Sequence, residues 1–249
     1  MFDAVDQQRK PAVVRPTLIV KTGSTMPDLA ARRGDYEDWI AGGLEGAGPI
    51  EVCRVVDGDP LPAPETLRGV VVTGSSALVT DREPWSETTG AWLAEVHRAG
   101  VPQLAICYGH QLLADHLGGE VGRNPSGREI GHIAVALTDA GAADPLFEGL
   151  PRTLRVSSSH RQSVLRVPAG ATVLAHNEAT AHQAYKLGER TWAVQFHPEW
   201  DHDVIRAYLE ARYDVLREEG LDADALLEQV APSPHGAQIL RRFGALLSG

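Results

Sequence analysis

Val101-Pro102-Gln103-Leu104-Ala105-Ile106-Cys107-Tyr108-Gly109-His110-Gln111 is the stretch on which the chain turns. A short apolar run ends at a cysteine. A helical pattern follows at once in Gln111, Leu112, Leu113, Ala114, His116 and Leu117, closed by Gly118-Gly119. Strand, one-residue corner and helix is the geometry of a nucleophile elbow. The corner residue is held in a strained backbone conformation, so it needs small neighbours, and Ala105 and Gly109 supply them. The corner side chain sits over the positive end of the following helix, a field that favours a thiolate.

A thiolate needs a base, and the base needs an orienting group. Far downstream, Trp192-Ala193-Val194-Gln195-Phe196-His197-Pro198-Glu199 is another apolar strand, ending in a histidine with a carboxylate two residues on. Cys107, His197 and Glu199 form a candidate triad. The competing reading is a buried inert cysteine and a loop histidine; the elbow and the His-Pro-Glu context favour the triad.

Composition bounds the answer. With 249 residues, 43% of them hydrophobic and 22% charged, the chain can bury a large core and reads as a soluble globular protein. A net charge of −10 argues against nucleic acid or an anionic membrane as partner. No apolar run approaches about 18 residues, so no membrane span is expected. Met1 to Lys10 lacks the apolar core of a secretory signal. Two cysteines, Cys53 and Cys107, are too few for a disulfide framework, and a cytoplasmic setting fits. Neither C-x-x-C nor H-E-x-x-H occurs, so no zinc site is expected. The ten histidines are scattered, and most read as surface residues.

Residues 1–15 read as a loose arm. Thr17-Leu18-Ile19-Val20 is the first buried strand, and its exit loop, Lys21 to Thr25, lacks the pattern of a nucleotide site. Asp28 to Ile40 has helical spacing broken at Arg33-Gly34-Asp35, with Asp35 as N-cap of the second part and Trp39 as a core residue. Ile50 to Val56 is the next strand, with Cys53 a buried, unreactive thiol. Gly69 to Val72 is a third strand, ending at Thr73-Gly74-Ser75-Ser76. Asp81 to Trp85 reads as a capped helix start, and the helix runs to Ala99 before Gly100. Short strands follow over Thr153–Val156, Ala171–His176, Ala184–Leu187 and Trp192–Phe196. Three helices close the chain: Val204 to Glu218, one capped by Asp222, and Ala237 to Leu247. They could cover a sheet edge or mediate a homodimer. The domain plan is an arm over 1–15, one domain over 16–203, and a helical extension over 204–249 packed on that domain.

The chain resembles the class I glutamine amidotransferase family. Cys107-Tyr108-Gly109-His110-Gln111, Gly118-Gly119, Arg128-Glu129-Ile130-Gly131, Ser159-His160 and Gln195-Phe196-His197-Pro198-Glu199 match in the family's order, a specific signal over roughly residues 70–200. Gly34-Asp35-Tyr36-Glu37-Asp38-Trp39 is similar to free-standing members, and Asp144 to Leu150 to the family's small helix. The implied fold is α/β: a doubly wound, flavodoxin-like, mostly parallel mixed sheet with helices on both faces, plus the C-terminal helical appendix.

The resemblance also implies roles. Cys107 would attack an amide carbonyl, His197 would serve as acid and base, and Glu199 would orient it. The Tyr108 backbone N–H and one from Gly74 or Ser75 would form the oxyanion hole, although Thr73-Gly74-Ser75-Ser76 replaces the family's Gly-Gly-Pro. Gln111, Ser159 and His160 would bind a γ-glutamyl substrate. Gln111 could equally be a polar residue inside the elbow helix, and the Ser-His pair a surface turn. His110 could line the entrance or be a solvated helix residue. No cofactor or metal is implied. The substrate would be glutamine or a γ-glutamyl peptide. A separate synthase partner is possible, but Arg161-Gln162 stand where GMP-synthetase-type domains carry Gly-Asp, which points away from that partner. Free-standing relatives include γ-glutamyl peptidases. A catalytically silent binding module is the reading from another class, and the intact triad argues against it.

Overall fold

The computed structural model describes residues 14–248, so the expected arm over 1–15 lies almost wholly outside the described residues. The first half contains β1 (Thr17–Lys21), α1 (Pro27–Arg33), α2 (Tyr36–Gly43), β2 (Ile50–Arg54), β3 (Gly69–Val72), α3 (Pro84–Arg98), β4 (Gln103–Ile106) and α4 (Tyr108–His116). The second half adds β5 (Glu120–Arg123), β6 (Glu129–Leu137), α5 (Asp139–Ala143), β7 (Thr153–His160), β8 (Gln162–Arg166), β9 (Thr172–His176), β10 (Ala184–Leu187) and β11 (Thr191–Val194). Four helices close the chain: α6 (His202–Ala211), α7 (Tyr213–Glu218), α8 (Ala223–Glu228) and α9 (His235–Leu246).

Nine strands form one mixed sheet in the order β2-β1-β3-β4-β11-β10-β9-β6-β7, and β5 pairs with β8 apart from it. The neighbours from β2 through β11 are parallel, and the pairs from β11 outward to β7 are antiparallel. This is the doubly wound mixed sheet expected from the sequence. Strand alternation sorts residues onto its two faces. Ile19, Val71, Leu104 and Val194 share a core with Ile40 of α2 and Ile239 and Phe243 of α9. Leu18, Val20, Val70, Val72, Ala105 and Ala193 point the other way, onto Leu93 and Val96 of α3 and Leu112 and Leu113 of α4.

The last helix therefore covers a sheet face and not an edge. Phe243 is fully buried and meets Trp192 of β11 edge-on, with ring centroids 6.1 Å apart. The helices α6 and α8 instead enclose a third cluster, in which Leu29, Tyr36, Trp200, Ile205, Tyr208 and Leu209 pack together.

Local chemistry accounts for the first loop. Asp35 caps α2, with Asp38 completing a capping box, a motif worth about 1 kcal/mol. The same carboxylate takes Lys21 Nζ at 2.8 Å and the Thr25 backbone N–H at 2.8 Å, while Glu37 takes Lys21 at 2.6 Å. Burial would raise the Asp35 carboxyl, but the bonds from Lys21, Thr25 and Tyr36 outweigh it and hold the acid below its usual range. The loop between β1 and α1 is thereby tied to the start of α2.

Several expectations are corrected. The helix after Asp81 starts at Pro84 without a side-chain cap, and Val79–Asp81 is a separate 3-10 turn. The small helix lies over Asp139–Ala143, ahead of Asp144 to Leu150; Asp144 instead accepts from Trp192 Nε1 and the Leu146 N–H, both at 2.9 Å. Val204 to Glu218 is two helices broken at Arg212. Trp39 is half-buried, its indole N–H donating to the Arg33 carbonyl at 2.8 Å. Of the ten histidines only His176 is exposed; the other nine are buried or half-buried.

Candidate active site

Cys107 directly follows β4, and its neighbours in the sheet are β3 and β11. Three parallel strands thus end side by side, each delivering one part of the site: Gly74 after β3, Cys107 after β4 and His197 after β11. The Cys107 N–H donates to the Val194 carbonyl at 2.8 Å, so the strand pairing continues up to the corner. There the backbone turns, with φ 50° and ψ −96°, and Cys107 becomes the N-cap of α4. A non-glycine residue at positive φ is strained, and such strain gathers at functional sites. The expected small neighbours are in place. A Cβ on Gly109 would lie 2.8 Å from Val72 Cβ, so only glycine lets α4 begin so close to β3.

His197 is buried, and its Nδ1 lies 2.7 Å from Glu199 Oε1. Its backbone N–H donates to the Ser157 carbonyl at 2.8 Å, anchoring it to β7. Burial alone would push the imidazole pKa down. The Glu199 carboxylate and the adjacent Cys107 sulfur outweigh that and hold it up to about 10. The site is thus built to keep an imidazolium beside the cysteine sulfur near neutral pH.

The histidine ring is also held from the side. It stacks on Trp200 with centroids 3.7 Å apart and planes 12° from parallel. Trp200 packs on Tyr208 at 4.1 Å. The Tyr208 hydroxyl meets those of Tyr36 at 2.7 Å and Thr25 at 2.9 Å. Sequence reasoning missed this aromatic support. The one local signal was Trp200, directly after the His-Pro-Glu run. On the opposite side, a Cβ on Gly74 would stand 2.7 Å from His197 Cε1 and 3.6 Å from Cys107 Cβ. Gly74 is therefore a close-approach position as well as a turn.

A pocket of about 490 Å³ opens over the cysteine, lined by Ser75, Cys107, Tyr108, Gln111, Ser159, His160 and His197 among others. The structure thus gathers the site residues expected from sequence, with Glu199 behind His197 and Gly74 beneath it. Gln111 donates through Nε2 to the Gln162 carbonyl at 2.8 Å and to Gln195 Oε1 at 3.0 Å. Ser159 and His160 close strand β7 and are not a surface turn. Both ring nitrogens of His160 are engaged, Nδ1 with the Gln162 carbonyl and Nε2 with Glu129 Oε2, each at 2.8 Å. Glu129 also takes Asn177 and Gln183 at 2.6 Å. Burial would raise this carboxyl; the bonds from His160, Asn177 and Gln183 hold it low. His110 is fully buried beside Tyr185 at 4.9 Å, neither solvated nor at an entrance, and desolvation pushes its pKa down to about 3.

Among the described residues one group of potential metal ligands converges, Glu87, Asp115 and His116. Arg82 already fills it, reaching Asp115 at 2.6 Å and Glu87 at 3.3 Å. Also among the described residues, no helix is long and apolar enough to cross a membrane.

Residues 60–213 match the family Glutamine amidotransferase class-I. The chain belongs to this family. The matched span holds Gly74, Cys107, His197 and Glu199 and most of the residues that line the pocket. A glutamine-hydrolyzing GMP synthase subunit of Pyrococcus abyssi is 33% identical over 162 residues, 61% of this chain and 84% of that protein. The glutamine-hydrolyzing GMP synthase of Aeropyrum pernix is 41% identical over 190 residues, 74% of this chain but 33% of that protein, so the chain spans about a third of such relatives. In three dimensions a glutamine amidotransferase of Thermotoga maritima superposes with a TM-score of 0.72 at 22% identity, covering 94% of this chain and 99% of that one. One from Methylobacillus flagellatus gives 0.66 at 27% identity, covering 94% and 90%.

Proposed function

We propose that this amidotransferase-family chain hydrolyses glutamine or a related γ-glutamyl amide through a thioester on Cys107. The observation that carries the reading is the elbow cysteine at the base of the pocket beside a histidine paired with Glu199. The Cys107 sulfur attacks the γ-carbonyl carbon. The carbonyl oxygen becomes an oxyanion, facing the Tyr108 N–H at the start of α4, which has no helical partner, and one from Gly74 or Ser75. Collapse breaks the C–N bond, and the leaving nitrogen takes a proton from His197. Water then attacks the thioester, giving its proton to His197 and releasing glutamate and the thiolate. The balance is one amide and one water to glutamate and ammonia or an amine. Glu199 holds His197 in orientation and stabilises its cation.

The glutamyl group lies against the α4 side of the pocket in this account. The Gln111 side-chain oxygen and Ser159 contact it, while His160, committed to Glu129, positions the β7 end rather than bonding substrate. A second reading has one specific support: the chain covers most of a relative that is named as one subunit of a GMP synthase, so the hydrolase could act only when docked on a separate synthase. Arg161-Gln162 weighs against a GMP-type partner. In both readings the domain over 16–203 and the helices over 204–249 act as one unit. The purified chain, tested with glutamine and γ-glutamyl amides against Cys107→Ala, decides. Release of glutamate that needs Cys107 supports a self-sufficient hydrolase. Turnover appearing only with an added synthase supports the partner-dependent reading. Turnover undiminished in the variant refutes both.

A further inference from the structure

The pocket is roomier and more cationic than glutamine requires. Cavities of about 300–1,000 Å³ hold drug-sized ligands, and free glutamine has only about ten heavy atoms; this pocket encloses about 490 Å³. Its lining includes Arg128, Arg161 and Arg212 in a chain of net charge −10. Arg128 is held by Glu219 through two bonds of 2.6 and 2.8 Å. Among the described residues neither Arg161 nor Arg212 is in an ion pair. Arg212 lies over the Tyr208 ring at 4.5 Å, and its Nη1 has only the Tyr208 carbonyl at 3.4 Å and the Met26 sulfur at 3.8 Å. Burial first, then Arg128 and Arg161, lower the Arg212 pKa, so the three cations feel one another. Glu219 pairs with Arg128 and also acts on Arg161, whereas no carboxylate among the described residues pairs with the half-buried Arg212, and an added anion there would offset its desolvation.

Geometry says which part of a substrate that anion belongs to. The leaving nitrogen must sit at His197, which protonates it. From His197 one continuous wall leads outward: Trp200 on the imidazole, Tyr208 on Trp200, Arg212 on Tyr208. A substituent on a leaving nitrogen placed at His197 would meet this wall, which ends at Arg212. We propose that the preferred substrates are γ-glutamyl amides whose leaving amine carries a carboxylate, as in a γ-glutamyl peptide, and that Arg212 with Arg161 forms the subsite that reads this charge. The inference rests on the hydrolase reading and gives its substrate class.

The test compares γ-glutamylglycine and γ-glutamylglycylglycine, each with its C-terminal carboxamide, which changes the charge and almost nothing else. The acid should exceed its amide in kcat/KM by about tenfold or more at one of the two lengths, and the ratio should shrink as ionic strength rises. Arg212→Gln should bring the ratio below about threefold, and the exposed Arg161→Gln, which leaves the fold untouched, should lower it less. Equal rates for acid and amide in the wild type would overturn the inference and leave the hydrolase reading standing. So would an Arg212→Gln loss shared equally by glutamine, acid and amide, which would place Arg212 at the α-carboxylate. Calorimetric titration of Cys107→Ala with the same pairs needs no turnover: tighter binding of the acid supports the subsite even if the isolated chain is inactive. Equal binding, or none, overturns it.

Discussion

The chain has two cysteines, both buried, both near the carboxyl end of a parallel strand, and set in opposite surroundings. Cys53 lies on β2 at the sheet edge. Its sulfur points at the carbonyls of Asp59 and Pro60, 3.8 and 3.7 Å away, and burial with the Asp59 charge pushes its thiol pKa up. Cys107 stands at the centre of the parallel strands, with a strand end on either side. One end brings Gly74, whose missing side chain leaves room for His197, and the other brings His197 itself. A cysteine at a strand end is inert or reactive according to what the adjacent strands place beside it, and only a central strand has two neighbours to do so.

Four substitutions sharpen or break this contrast. Cys107→Ala should lower γ-glutamyl hydrolysis by about 10⁴-fold or more, read by glutamate release, since the triad loses its nucleophile. Gly74→Ala should lower kcat by about 10²-fold with the fold intact by circular dichroism. The new methyl would displace the imidazole, and misplacement on an ångström scale has that cost. Glu199→Gln should lower kcat/KM about tenfold at neutral pH, because the Cys107 sulfur still helps to hold the imidazolium. It should also move the alkaline limb of the pH profile. The wild-type limb falls as pH rises through the His197 value of about 10, and without the carboxylate that value drops, so the limb moves to lower pH. An unmoved limb would assign it to another group. Cys53→Ala should leave kcat/KM within about twofold and cost about 1 kcal/mol of stability in urea unfolding.

What could be read from sequence was local. The elbow, the His-Pro-Glu strand end, the Asp35 cap and the buried strand Thr17 to Val20 are each contained in a short stretch of chain. They pointed to the fold class and to Cys107, His197 and Glu199 as the candidate triad. What could not be read depends on distant partners. The hydroxyls of Tyr36 and Tyr208 meet across most of the chain. His160 looked free to bind substrate because nothing near it in sequence announces Glu129, 31 residues away. His110 carried no mark of burial, since periodicity within a short helix does not reveal that a second layer covers its outer side. Gly74 was legible as a turn, but its contact with His197 joins the ends of two strands far apart in the chain. The break at Arg212 that brings a guanidinium to the pocket wall falls inside a single helical pattern.

The most direct test of the central claim is intact-protein and peptide mass spectrometry of the wild-type chain, acid-quenched during turnover of an activated γ-glutamyl anilide. A γ-glutamyl mass should appear on the peptide containing Cys107, decay as glutamate is released, and never appear on the peptide containing Cys53. Glutamate release with no adduct on Cys107, or an adduct on Cys53 in its place, would contradict the account.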